Sequence, residues 1–303
     1  MTATLQPFSY AVVHALRGAG LDDIDDVRRV VETALAEDLR YGPDATTEAT
    51  VAAGLTVEAV IRTRPPGTLA GLPVALAVLD TVLGPAGYEV LEVRTDGDVL
   101  RAGDVAARLR APARGLLTAE RTVLNLLCHL SGIATATAAW VEAVAGTGCA
   151  VRDSRKTVPG LRQLAKYAVR CGGGRNHRLG LGDAVLIKDN HVAAAGSVTA
   201  AIAAARRHAP HLSCEVEVTT LGELDEALAA GAAEVLLDNM TVEQCAEAVR
   251  RVRVAGAATR LEASGGLTLD VAHAYARTGI DYLAVGAITH SAPALDLGLD
   301  LVS

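Results

Sequence analysis

The chain has 303 residues, half of them apolar, with only eight aromatic side chains and a formal net charge of −7. That is enough to bury a sizeable core in about two domains, and the acidic balance with so few aromatics excludes the basic, stacking face of a nucleic-acid binder. No uninterrupted apolar run approaches the roughly 18 residues of a bilayer span, no basic stretch opens the chain ahead of an apolar one, and the five cysteines (128, 149, 171, 214 and 245) contain no Cys-x-x-Cys pair; neither a zinc site nor a disulfide framework is indicated, and a reducing cytoplasm is expected.

In chain order, residues 24–39 place Ile24, Val27, Val30, Val31, Ala34 and Leu35 at helical spacing behind an Asp-rich start, which predicts an amphipathic helix. Leu55, Val57, Ala59 and Ile61 alternate as a strand, 73–83 read as a helix, and 88–94 and 105–110 read as strands around the turn Thr95-Asp96-Gly97-Asp98. This mixture predicts a small α+β sandwich. From 114 to 144 the pattern is long and helical, bridging to a second region where short β-rich runs (150–154, 184–189, 214–219, 234–238, 260–263, 282–285) alternate with helical stretches (197–208, 221–230, 241–253). Such alternation predicts right-handed βα units and a parallel sheet or barrel. With fewer than eight strands, an incomplete or distorted barrel is expected.

A polar residue or glycine closes each of these runs: Arg155 and Lys156, then Lys188, Glu217, Asp238, Ser264 and Gly286. In a βα barrel these ends share one face, where loops assemble an active site. The charge distribution agrees. All three lysines, Lys156, Lys166 and Lys188, fall in 152–188 with six arginines against Asp153 and Asp183, so this stretch carries about +7 within a chain of net −7. Lys166 sits at helical spacing with Leu161, Leu164 and Tyr167 and reads as a structural residue.

Three constellations carry chemistry. Cations gather at Arg155, Lys156, Arg175, His177, Arg178 and Lys188, around the run Gly172-Gly173-Gly174; the alternative is a solvated basic face with a flexible loop. Glu217 and Asp238 end consecutive apolar strands, a pair suited to Mg²⁺, which takes one or two carboxylates plus substrate phosphates; the alternative is a pair of rim acids salt-bridged to the cations. Ser264-Gly265-Gly266 and Gly286-Ala287 follow late strands, where bare backbone N–H groups can cradle phosphate, although simple turns use the same residues. Together they suit a substrate bearing a phosphate and a diphosphate beside a second anionic substrate.

The runs AERTVLNLLCHLSGIAT (119–135), DSRKTVPGLR (153–162), CGGGRNHRLGLGDAVLIKDNH (171–191), EVEV (215–218), LLDNM (236–240), EASGG (262–266) and VGAITHSAPALDLGLD (285–300) closely resemble the quinolinate phosphoribosyltransferase family. The resemblance implies an N-terminal α+β open-faced sandwich with a bridging helix (1–129), an incomplete parallel α/β barrel holding the active site (130–288), and a tail (289–303) returning to the first domain. It implies a pentosyltransferase of de novo NAD biosynthesis, acting on quinolinate and 5-phosphoribosyl 1-diphosphate with Mg²⁺ to give nicotinate mononucleotide, CO2 and diphosphate. It implies a quinolinate pocket of Arg121, Arg155, Lys156, His177, Arg178 and Lys188, with Ser154 beside them. Glu217 and Asp238 fall on the metal and ribose-diphosphate side, and Lys156 joins this pair in catalysis. Ser264, Gly265, Gly266, Gly286, Ala287 and His290 fall near the phosphate. A homodimer is implied, in which Arg121 reaches the neighbour's site. Two departures are visible: Ser154 stands where the family usually has threonine, which keeps a hydroxyl, and the stretch 40–44 is altered. Rival readings are a Schiff-base aldolase built on Lys188, a paralogous transferase taking another acid, including those associated with molybdenum transport, and a noncatalytic anion-binding barrel.

Overall fold

The structure, a computed structural model, describes residues 7–302. Along the chain come helices α1 (Tyr10–Gly18), α2 (Ile24–Asp38) and α3 (Ala45–Thr50), strands β1 (Thr56–Thr63) and β2 (Gly67–Thr68), helix α4 (Leu72–Leu83), strands β3 (Glu89–Val93), β4 (Val99–Leu100) and β5 (Val105–Pro112), and the long helix α5 (Ala113–Ala143). There follow β6 (Ala150–Arg152), α6 (Arg162–Cys171), β7 (Val185–Ile187), α7 (Asp189–Ala195), α8 (Val198–His208), β8 (Cys214–Val218), α9 (Leu221–Ala229) and β9 (Glu234–Asp238). The chain ends with α10 (Val242–Val254), β10 (Arg260–Ser264), α11 (Ala272–Ala276), β11 (Tyr282–Ala284), α12 (Ala287–His290) and β12 (Leu297–Val302).

Two compact units result, one of 1–136, 157–173 and 291–303, the other of 137–156 and 174–290. The sequence reading closes the first unit at 129 and gives 130–288 to the second. The structure instead divides inside α5 and returns α6 to the first unit, because α6 is tied there by side chains: the Tyr167 hydroxyl donates to Asp96, and Arg170 donates to the carbonyls of Ala19 and Gly20.

In the first unit, an antiparallel sheet has the order β12-β1-β5-β3. Its exposed charges are paired across strands, Arg110 with Glu58 and Glu89, and Arg108 with Glu92. Helix starts are specified locally: Ser9, Asp23 and Asp44 each accept the N–H three residues on. Asp96, read from sequence as a turn residue, has a second task. It accepts the N–H groups of Gly71 and Leu72 and so caps α4 from a distance.

Helix α5 passes the length and hydropathy test for a membrane span, with mean hydropathy 1.3 over its most apolar window. The side chains of Leu116, Val123, Leu127, Leu130 and Ile133 are nevertheless buried. That is the pattern of a core helix.

The second unit is built on six parallel strands in the order β6-β11-β10-β9-β8-β7. Among the described residues neither edge meets another strand, apart from a parallel bridge between Arg152 and Arg175, so the sheet stays open as an incomplete barrel. Register places Glu217, Leu236, Glu262 and Tyr282 in one row across four strands. Alternation then puts Val216, Val235 and Leu261 on the opposite face, all buried. Helices α9 and α10 begin within a few residues of strands β8 and β9, at the capping boxes Thr220/Glu223 and Thr241/Gln244. Short, doubly capped connections leave little slack at the strand ends that form the site.

Gly132 of α5 carries the returning tail: a Cβ there would lie 2.2 Å from the Pro293 carbonyl oxygen and 2.8 Å from the Ala294 Cα. Gly132→Ala is expected to cost about 1–3 kcal/mol through overpacking, measured as a lower urea midpoint at unchanged m-value.

Candidate active site

A cavity of about 500 Å³ opens at the C-terminal ends of the strands of the second unit. The order of the sheet arranges its wall. Lys188 follows β7, Glu217 lies on β8, Asp238 ends β9, Ser264-Gly265-Gly266 closes β10, Gly286-Ala287 follows β11, and Ser154-Arg155-Lys156 follows β6; His177, Arg178 and His290 complete the lining. Every residue singled out from the sequence as a ligand is present in this wall except Arg121 and Arg175. Arg121 is an exposed residue of α5 in the first unit, and Lys166, fully buried on α6, also belongs to that unit.

The cation wall depends on Asp153, a fully buried carboxylate that the sequence reading counted only as a charge against the basic stretch. One of its oxygens accepts the His177 N–H at 2.8 Å and the other accepts the Asn176 side-chain amide at 2.6 Å, while its own N–H donates to the Arg175 carbonyl. The loop 174–178 is thereby fastened to the end of β6, and Arg178 comes beside Arg155. Burial, and then the Arg155 charge, push the Arg178 pKa down. The Nε atoms of both arginines are buried and have no hydrogen-bond partner among the described residues. Two adjacent guanidinium donors in this state are sites for anionic oxygens.

The acid side is differently disposed. Because Glu217 pairs in register with Leu236, Asp238 lies one pleat repeat beyond it on the same face of the sheet. Glu217 is held by Lys188 at 2.5 Å, and Asp238 accepts the Asn239 side-chain amide at 2.7 Å. Asn239 has φ of 54°, and Gly265 is the reason it fits: a Cβ on Gly265 would lie 2.2 Å from Asn239 Oδ1. Gly286 has a related role. A Cβ there would meet the Lys156 side chain at 3.0 Å and crowd His290 and Ser154 at 3.4 Å. The Ser154 hydroxyl accepts the Lys156 N–H, and Thr289 donates to the Lys156 carbonyl. Mg²⁺ is bound by one or two carboxylates plus phosphate and water, and the two oxygen-donor side chains Glu217 and Asp238 on one face fit that requirement.

At the floor of the cavity, where His177 and Glu262 line it, lies a charged cluster of which the sequence reading named only His177. Arg152 donates to Glu262 at 2.7 Å and Glu234 at 3.2 Å, and its guanidinium stacks 3.5 Å above the Tyr282 ring. His177 Nε2 meets Glu215 at 2.7 Å, and Nδ1 accepts the Arg178 N–H at 2.7 Å. Burial alone would lower the His177 pKa; the hydrogen bond to Glu215 and the charges of Glu262 and Glu215 outweigh it and raise it. The Nδ1 contact opposes full protonation, since an imidazolium would set two N–H groups against each other. An accepting Nδ1 beside the Glu215 carboxylate is the geometry that a neutral ring satisfies as its Nε2–H tautomer. His177, Glu215 and Glu262 also offer three ligand atoms within 4.8 Å of one another. A cation there would need the Nε2 lone pair, move the proton to Nδ1 against the Arg178 N–H, and sit beside Arg152. The signal for the trio was the alternation Glu215-Val216-Glu217, whose first acid points into the barrel below the second.

Burial, and then the Glu215 charge, raise the Glu262 carboxyl from its ordinary value of 4.5 to about 7, against the pull of His177 and Arg152. A raised pKa means that the native state favours the protonated form. The contribution to stability is therefore complete below 4.5 and is lost as pH rises through about 7. Glu262→Gln is expected to flatten the dependence of unfolding free energy on pH within this window, by up to about 1.4 kcal/mol per pH unit. Urea titrations across the window check it; an unchanged slope would exclude Glu262 as the group responsible.

Profiles of the N-terminal and C-terminal domains of quinolinate phosphoribosyl transferase match residues 44–131 and 133–300. The nicotinate-nucleotide pyrophosphorylase [carboxylating] of Mycobacterium leprae is 57% identical over 279 residues, covering 92% of this chain and 98% of that protein. Its human counterpart is 40% identical over 247 residues, covering 80% of this chain and 82% of that protein. The solved nicotinate-nucleotide pyrophosphorylase of Francisella tularensis superposes with a TM-score of 0.86 at 39% identity, covering 92% of this chain and 96% of that one. With both domain profiles matched in order along the chain, the chain belongs to the quinolinate phosphoribosyl transferase family.

Proposed function

We propose that the cavity is where the chain transfers the phosphoribosyl group of 5-phosphoribosyl 1-diphosphate to the ring nitrogen of quinolinate, with loss of diphosphate and CO2, to give nicotinate mononucleotide for NAD synthesis. The single observation that carries this reading is the pair of buried, unpartnered guanidinium Nε atoms of Arg155 and Arg178 on one wall. A dicarboxylate supplies the two anionic groups that this wall lacks. A monocarboxylic acid such as nicotinate would leave one guanidinium unanswered, which is costly in a buried setting.

In this reading Arg155 and Arg178 hold quinolinate through forked contacts, and Lys156 and Lys188 add point contacts. Glu217 and Asp238 would hold Mg²⁺ together with the diphosphate. When bound, the metal neutralises charge on the departing diphosphate as the ribose carbon becomes oxocarbenium-like. The glycines after β10 and β11 give the phosphate close access to backbone. Bond formation makes the ring nitrogen cationic, which stabilises the carbanion left when the adjacent carboxylate departs as CO2, and that carbon then takes up a proton from water to complete the product. The protein positions and shields, and no protein nucleophile is required. The aldolase reading is not favoured: Lys188 is ion-paired with Glu217, whereas a Schiff-base lysine must present a neutral amine.

A cytoplasmic homodimer completes the reading. Five free cysteines accord with a reducing compartment. Arg121, exposed on α5 and outside the wall of its own cavity, is assigned to the neighbour's quinolinate site.

Protein mixed with quinolinate, phosphoribosyl diphosphate and Mg²⁺ is expected to release CO2 and nicotinate mononucleotide, and chelation is expected to stop it. Use of nicotinate instead of quinolinate would sink the assignment. Lys156→Met is expected to lower turnover by about 10²-fold or more at unchanged melting temperature. In the dimer, Arg121→Ala and Lys156→Met protomers, each inactive alone, are expected to regain up to about a quarter of full activity when mixed, because half the dimers then contain one intact site. No recovery after subunit exchange would remove Arg121 from the neighbour's site.

A further inference from the structure

Arg178 is held in a position that its own charge opposes. It stands near enough to Arg155 for the two charges to repel, and one end of its guanidinium, Nη1, is tied to the Ala184 carbonyl at 3.2 Å. The other restraint acts on its backbone, where the N–H donates to Nδ1 of His177 at 2.7 Å. That bond exists only while Nδ1 carries no proton. What keeps the proton on Nε2 is Glu215, whose Oε2 lies 2.7 Å away and whose side chain is only 5% exposed.

From this sequence of contacts we infer that Glu215 is a positioning residue for dicarboxylate recognition: it fixes the His177 tautomer, which makes Nδ1 the acceptor for the Arg178 N–H and so sets the direction in which Arg178 reaches the substrate. The inference rests on the reading that the cavity takes quinolinate. It assigns His177 a different part from direct contact through a ring nitrogen, since Nε2 and Nδ1 are both directed at protein groups.

Glutamine does not replace glutamate here. A carboxylate can only accept, so it selects Nε2–H; an amide can present either its oxygen or its NH2 group, and the second choice selects Nδ1–H. With a proton on Nδ1 the Arg178 N–H loses its acceptor and the backbone has to turn. The charge repulsion from Arg155 then favours the arginine's departure from the wall. Asp153 fastens the preceding residues independently, through the His177 N–H and Asn176, so the loop itself is expected to stay docked when Glu215 is changed.

The test uses full-length protein labelled with ¹⁵N-histidine at about pH 8, above the ordinary histidine range. His177 ring signals are identified by their loss in His177→Gln. The unmodified chain is expected to show a protonated Nε2 and a bare Nδ1, and Glu215→Gln a mixture of tautomers. In steady-state kinetics, Glu215→Gln is expected to raise the KM for quinolinate about ten- to a hundredfold, the range for losing a hydrogen bond that involves a charged group, and Glu215→Leu at least as much. The KM for phosphoribosyl diphosphate should stay within about twofold and kcat within about threefold. A protonated Nδ1 in the unmodified chain would overturn the inference. So would an unchanged quinolinate KM in Glu215→Gln, or an equal rise in both KM values, which would mark a general structural role. If neither variant folds, the tautomer of the unmodified chain decides. The nitrogen signals need no substrate, so failure of this inference is distinguishable from failure of the chain to use quinolinate.

Discussion

The site depends on holding two guanidinium groups near enough to repel each other in a partly buried wall. Arg155 and Arg178 repel each other, and their Nε donors are out of water without a partner. Both are unfavourable in themselves, and a dianion would answer both. Such an arrangement persists only where the surrounding structure leaves the arginines no alternative. Asp153 is the first reason that it persists, because its buried carboxylate ties the backbone of the 174–178 loop to the strand that delivers Arg155. The same two hydrogen bonds bring together residues more than twenty positions apart in the chain.

Below that wall the barrel interior holds Arg152, His177, Glu215, Glu234 and Glu262 in mutual contact. Hydrophobic residues of similar volume would pack such an interior with less desolvation. The charged cluster instead gives the inner row of side chains fixed hydrogen-bond directions, which an apolar core cannot do, and the cavity floor inherits that order. Around the mouth, strand order separates the labour: cations after β6 and in the loop beside it, acids on β8 and β9, glycines after β10 and β11. Lys188 and Glu217 join the cationic and acidic sectors as an ion pair.

Much of this was legible in the chain. Period-two and period-3.6 patterns located the long α5, the βα alternation, and the six strands whose ends meet at the cavity, because those elements bury one face and leave the other polar. The elements that were missed, α1, α3, α7, α11, α12, β2, β4 and β12, are mostly short, and short elements have too few turns or pleats for a period to register. The compact units depart from the sequence reading at one helix for a different reason. Helix α6 follows a barrel strand in sequence but is hydrogen-bonded into the first unit, and no local pattern encodes that choice.

The residue types that line the cavity were readable because chemistry restricts them: lysines confined to one stretch, acids ending apolar strands, glycines where backbone must come close. The sequence by itself therefore determined which charges the site would contain and on which strand ends they would stand. Tertiary structure alone decided how those charges are held. Asp153, Glu215 and Glu262 are ordinary acids in a linear reading, and they acquire their roles only when register and burial place Asp153 under a loop that begins at Gly174 and the other two inside the barrel. Burial is a property of the whole assembly of strands, and hydrogen-bond direction a property of distances between them. Neither is written at any one position.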